Sequence, residues 1–120
     1  MRDLVEVDID PINAVAYGNL GIVYRTRGEL DKAEEFYHKA LEINEALGHK
    51  EGMASQYGNL GIVYQTRGEL DKAEEFYHKA LEINEALGRK EGMARQYGNL
   101  GVVYQTRGEC IYTIHKTCYV

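Results

Sequence analysis

Residues Tyr57–Gly88 read "YGNLGIVYQTRGELDKAEEFYHKALEINEALG", and Tyr17–Gly48 repeat them with one change, Arg25 for Gln65. The words start a third time at Tyr97, run to Gly108-Glu109 and give way to "CIYTIHKTCYV". Over a whole period, Tyr17–Gln56 and Tyr57–Gln96 differ at three of forty positions: Arg25/Gln65, His49/Arg89 and Ser55/Arg95. Self-similarity at a fixed spacing marks a solenoid, in which each unit buries its apolar face only against its neighbours. Near-identity of the copies fits a recent tandem duplication and a consensus design equally.

Each unit is punctuated as two helices. Gly28 and Gly48 stand where a helix that has run its length ends on a left-handed residue. Between them Leu30, Ala33, Phe36, Tyr37, Ala40, Leu41, Ile43 and Leu47 recur at three- and four-residue steps, one apolar stripe. Asp31, Glu34 and Glu35 suit the positive end of that helix. The unit's first helix carries Met53, Tyr57, Leu60 and Tyr64, and in the first copy it starts at Asp10-Pro11, a capping acid followed by proline. Helices are expected over Pro11–Thr26, Leu30–Leu47, Glu51–Thr66, Leu70–Leu87 and Glu91–Thr106, joined by breaks short enough to force antiparallel packing. Gly18, Gly21, Gly58, Gly61, Gly98 and Gly101 lie inside helices, at about 1 kcal/mol each against alanine. Close helix approach at Gly21, Gly61 and Gly101 is the expected compensation.

Composition narrows the function classes. The 120 residues suffice for one small domain. A net charge of −5 argues against nucleic acid or an anionic membrane surface as partner, since both need a basic face. The opening "MRDLVEVDID" is too poor in apolar residues for a signal sequence, no run is long enough to span a bilayer, and a cytoplasmic location is expected. Cys110 and Cys118 both sit in the divergent tail, so a disulfide framework is not expected to hold the fold.

Tyr17-x-x-Leu20-Gly21-x-x-Tyr24 followed by Ala33, Tyr37 and Ala40 recurs as Tyr57, Leu60, Gly61, Tyr64, Ala73, Tyr77 and Ala80. This pattern, from about Ala14 to Gly108, resembles the tetratricopeptide repeat (TPR). Where the 34-residue unit closes its second helix with proline, this chain has Glu45 and Glu85. The forty-residue period resembles the repeats of kinesin light chain, spindle-orientation adaptors and bacterial TPR arrays. The resemblance implies an all-α solenoid of antiparallel helix pairs, two full repeats plus the first helix of a third. The expected division is a lead-in (1–10), a repeat domain (11–109; units about 14–53, 54–93 and 94–109) and a divergent tail (110–120).

Nothing in the sequence argues for an enzyme, a cofactor or a metal. His38 and His78 read as solvated helix face beside Lys39 and Lys79. Adjacent Glu34 and Glu35 do not face one another on a helix and form no carboxylate pair. Cys110, His115 and Cys118 supply three zinc ligands where four are usual, at a spacing that matches no standard site.

The resemblance also implies a concave groove lined by the first helix of each unit, where a protein or peptide partner lies. Carried over by position, its residues are Val15, Gly18, Asn19, Ile22, Arg25 and Thr26, then Ser55, Gly58, Asn59, Ile62, Gln65 and Thr66, then Arg95, Gly98, Asn99, Val102, Gln105 and Thr106. In kinesin light chain, asparagines at the positions of Asn19, Asn59 and Asn99 form a ladder on the peptide backbone. An amide suits this because it offers donors and an acceptor together. The competing role, fixing neighbouring helices, stays open. Ile22, Ile62 and Val102, with glycine at the matching lysine position, argue against the carboxylate clamp of chaperone co-factors. The rival to groove binding is a self-associating repeat fragment, natural or designed, forming a homo-oligomer through an uncovered C-terminal repeat face. There Cys110, Thr113, Thr117 and Val120 replace the core set Leu30, Ala33, Tyr37 and Ala40, although Ile111, Ile114 and Cys118 permit a short rotated helix.

Overall fold

The computed structural model describes residues 10–108, and all regular structure among them is α-helix. The helices are α1 (Pro11–Thr26), α2 (Leu30–Leu47), α3 (Lys50–Thr66), α4 (Leu70–Leu87) and α5 (Lys90–Thr106). Each packs on the next in chain order, so α1/α2 and α3/α4 are the two pairs and α5 opens a third. The expected bounds hold except that α3 and α5 start one residue earlier. The domain divisions at 1–10 and 110–120 fall mostly outside the described residues.

The ends follow from local chemistry. The Ile12 amide donates to Asp10 Oδ1 at 2.9 Å, and Pro11 occupies the first turn where its missing N–H is no loss. α2 and α4 stop at Gly48 and Gly88, with φ of 71° and 70°. The Gly48 amide donates to the Glu45 carbonyl and the His49 amide to that of Asn44, a Schellman closure repeated at Gly88. The break after it is shorter than the sequence indicates. Gly52 and Gly92 belong to the first turns of α3 and α5, and a Cβ there would run into the Asn44 and Asn84 amides.

Between the helices lies a core in which Tyr37, Tyr77, Leu60, Val63 and Val103 are fully buried. Close approach explains two of the three expected glycines. A Cβ on Gly21 or Gly61 would stand 2.5 Å from Cε1 of Tyr37 or Tyr77, so those rings fit only because the side chain is absent. Gly101 meets nothing within 4 Å among the described residues; the position matching Tyr37 and Tyr77 is Thr117, which lies outside them. The expectation for this glycine therefore turns on residues outside the described part of the chain.

A polar clasp joins one pair to the next. Arg67 on the turn after α3 donates to Glu34 Oε1 at 2.7 Å and to Asp31 on α2, while the Tyr64 hydroxyl donates to Glu34 Oε2 at 2.7 Å. Arg107, Tyr104, Glu74 and Asp71 rebuild it between α5 and α4. Burial works to raise the Glu34 pKa, but hydrogen bonds from Tyr64 and Arg67 outweigh it and leave the carboxyl below its ordinary value. At Glu74 the Arg107 hydrogen bond is the leading cause of the same depression.

Candidate binding groove

The first helices of successive units lie side by side and line a depression of about 890 Å³. Val15, Gly18, Asn19 and Ile22 come from α1, Ser55, Gly58, Asn59 and Ile62 from α3, and Arg95 and Asn99 from α5. These are one-face positions of each helix, since residues three and four apart stack above one another. Leu87, His49, Lys50 and Glu51 close one end, and Glu51 pairs with Arg89 at 3.5 Å.

The floor holds residues that the sequence did not single out. Gln56 and Gln96 are buried on the groove side, and each amide lies against the glycine of the preceding unit. A Cβ on Gly18 would stand 3.2 Å from Gln56 Nε2, and one on Gly58 equally close to Gln96 Nε2. Asn59 Nδ2 donates to Gln56 Oε1 at 3.4 Å, and Asn99 Nδ2 to Gln96 Oε1 at 3.5 Å. These are long bonds at the edge of useful geometry, and each uses one of two amide donors. Unit one has Ala16 in place of glutamine, so Asn19 has no such prop. A signal was present: a glutamine recurring with the same forty-residue period as the glycine it touches.

Other expected groove residues lie elsewhere. Gln65 turns inward, and its Oε1 accepts from the Tyr77 hydroxyl at 2.6 Å. Burial pushes the Tyr77 hydroxyl up to about 12 against the lowering influence of the Arg25 charge. In unit one Arg25 replaces that glutamine; neither its Nη1 nor the Tyr37 hydroxyl has a partner among the described residues, although both atoms are buried. Val102 is exposed on α5, and Gln105 also faces solvent; neither lines the depression. Thr26, Thr66 and Thr106 donate to the carbonyls of Ile22, Ile62 and Val102.

His38 and His78 are solvent-facing, 3.8 Å from Glu34 and Glu74. Among the described residues no three His, Cys, Asp or Glu side chains gather as a metal site. Cys110, His115 and Cys118 lie outside them. No helix among the described residues is long and apolar enough to cross a membrane.

Known structures resemble this arrangement. BtubC (BKLC) from P. vanneervenii superposes with a TM-score of 0.73 at 33% identity, over 82% of this chain and 41% of that one. The chain therefore spans well under half of that protein's length. The TPR domain of Arabidopsis FLU superposes with a TM-score of 0.76 at 21% identity, over 81% of this chain and 82% of that one, a likeness of fold. No curated protein matches. The tetratricopeptide-repeat family profile matches residues 12–86 and 52–110. With paired antiparallel helices, glycines seated on buried tyrosines and a forty-residue period behind that match, the chain belongs to the tetratricopeptide-repeat family.

Proposed function

We propose that the concave face binds an extended segment of a protein partner. Tetratricopeptide-repeat domains generally mediate protein–protein interaction, and the observation that carries this finer reading is the groove itself. Its middle is apolar, with Ile22 and Ile62, and polar amides at Asn19, Asn59 and Asn99 recur once per unit beside them. Apolar contact supplies affinity while sparse polar groups fix orientation. Asn59 and Asn99 each give one weak donor to a neighbouring glutamine, which supports a double role: positioned by the floor and still able to bond a peptide backbone. Val15, Ser55 and Arg95 stand at one repeated position, so this edge of the groove differs from unit to unit while the asparagines do not.

The test is selection from a displayed library of random peptides. Enriched sequences are expected to lose binding to Ile62→Asp and to the Asn59→Ala/Asn99→Ala pair, and to keep it with Glu85→Gln on α4. Binding that ignores both groove variants sinks the reading.

Self-association is the second reading, favoured by the C-terminal end. Tyr97 is 55% exposed where its counterpart Tyr57 is partly buried, and Gly101 lacks a facing ring among the described residues. Sedimentation over a concentration series separates the two, since a dedicated groove binder stays monomeric.

A further inference from the structure

The two periods differ at three positions, and each difference sets an arginine against a side chain without fixed charge: Arg25 against Gln65, Arg89 against His49, Arg95 against Ser55. No carboxylate is gained or lost. Two of the three bear on the groove. Arg95 lines it from α5, where Val15 on α1 is apolar and Ser55 on α3 already donates to the Glu51 carbonyl at 3.2 Å. Arg89 engages Glu51, which supplies the one carboxylate lining the depression among the described residues. Arg95 and Lys50, both exposed, line the same space and form no ion pair among the described residues.

The acids lie on other helices. α2 and α4 each hold five carboxylates against two lysines, whereas the first helices hold none from Tyr17, Tyr57 and Tyr97 onward. A protein of net charge −5 thus carries a groove whose unengaged charges are positive and stand on its α3 and α5 side. The apolar centre, Ile22 and Ile62, belongs to α1 and α3. Charge and apolar contact are therefore offset along the row of first helices.

Resting on the reading of this groove as a site for an extended segment, we propose that it selects a segment of one composition. That segment is apolar over α1 and α3 and carries an aspartate or glutamate side chain over α5, where Arg95 sets the preference. Complementary charge of this kind fixes register and direction and rejects wrong partners more than it raises total affinity. The acid-rich second helices repel the same segment, so it is steered to the face that does not. A phosphate backbone shares the charge but has no use for Ile22 and Ile62. Between the two full units, the change from Ser55 to Arg95 is then a change of selectivity, made where the hydroxyl serves its own helix.

The probes are peptides that the 120-residue protein enriches from a random displayed library, resynthesised with both ends blocked so that no terminal carboxylate is read. They are expected to share an acid at a fixed distance from an apolar residue. Changing that acid to its amide should weaken binding about tenfold at low salt, and Arg95→Ser should weaken the parent peptide equally while leaving the amide peptide unchanged. Arg95→Lys should retain most of the preference, with the melting temperature unaltered in both variants. Adding Ser55→Arg to Arg95→Ser moves the cation one helix, about 10 Å, and should favour peptides whose acid stands about three residues nearer the apolar one. Enriched peptides without a shared acid, or an acid preference that ignores Arg95→Ser, would overturn the proposal, and continued loss of binding with Ile62→Asp would leave the groove reading standing. Binding that ignores Ile62→Asp as well sinks both. A single-stranded oligonucleotide that displaces the peptides and depends on Arg95 more than they do assigns the cations to phosphate and overturns the proposal. So does peptide binding that emerges only after removal of residues 1–9, which assigns the groove to that segment.

Discussion

The exchange of Arg25 for Gln65 shows how one side chain decides a neighbour's fate. Gln65 offers the acceptor that the buried Tyr77 hydroxyl needs, and Arg25 has none to offer. Arg25→Gln is therefore expected to give Tyr37 the bond that Tyr77 has and to stabilise the protein by about 1 kcal/mol in urea denaturation. The glycines form a graded series of their own. Gly61→Ala gains helix propensity but drives a Cβ to 2.5 Å from the fully buried Tyr77 ring, so a net loss of about 1–3 kcal/mol is expected. Gly98→Ala, with nothing within 4 Å among the described residues, should instead gain about 0.5–1 kcal/mol. If both variants shift stability in the same direction, glycine tolerance is not governed by the facing ring. The sequence exposed the cost of each helical glycine and close approach as its compensation, but not which side chain approaches. A ring two turns along another helix leaves no local trace, and neither does a glutamine that turns under a glycine.

At the scale of the element, helix bounds were legible because each end is written in local chemistry: Asp10-Pro11 at one, Gly48 and Gly88 at others. The groove's side chains were legible only so far as helical periodicity reaches. Asn19, Asn59, Ile22 and Ile62 fell where a three- and four-residue step places them, while Gln65 turned inward because a buried hydroxyl lay within reach. The clasps joining successive pairs escaped the sequence reading entirely, since Glu34 and Arg67 are separated by a whole turn and a helix. They carry a pH dependence of known sign. Glu34 and Glu74 have folded-state pKa values below their ordinary value of 4.5, so their contribution is present above that value and is lost as pH falls through the lower folded one. The melting temperature should decline below about pH 4.5, and the Glu34→Gln/Glu74→Gln protein should show a shallower acid limb. An acid limb equal in the two proteins would remove the clasps from the account.

For the whole molecule, stability is close to a sum over units and their interfaces. Adding "LDKAEEFYHKALEINEALG" after Glu109 supplies a tyrosine for Gly101 and a cover for Tyr97, and is expected to raise the melting temperature by about 5–10 °C. An extended protein no more stable than the original would mean that residues 110–120, which lie outside the described part of the chain, already serve as a cap.

The two second helices, α2 and α4, are the same eighteen residues, letter for letter. To a folding chain they are interchangeable parts: nothing in either surface tells α3 which one precedes it and which follows. Only the length of the connecting turns carries that information, and a turn constrains partners within one molecule, not between two. Dilute chains therefore assort correctly, while crowded ones borrow each other's helices without energetic penalty. Refolding at high concentration should leave a population of exchanged species that dilution resolves only as slowly as the helices unpack.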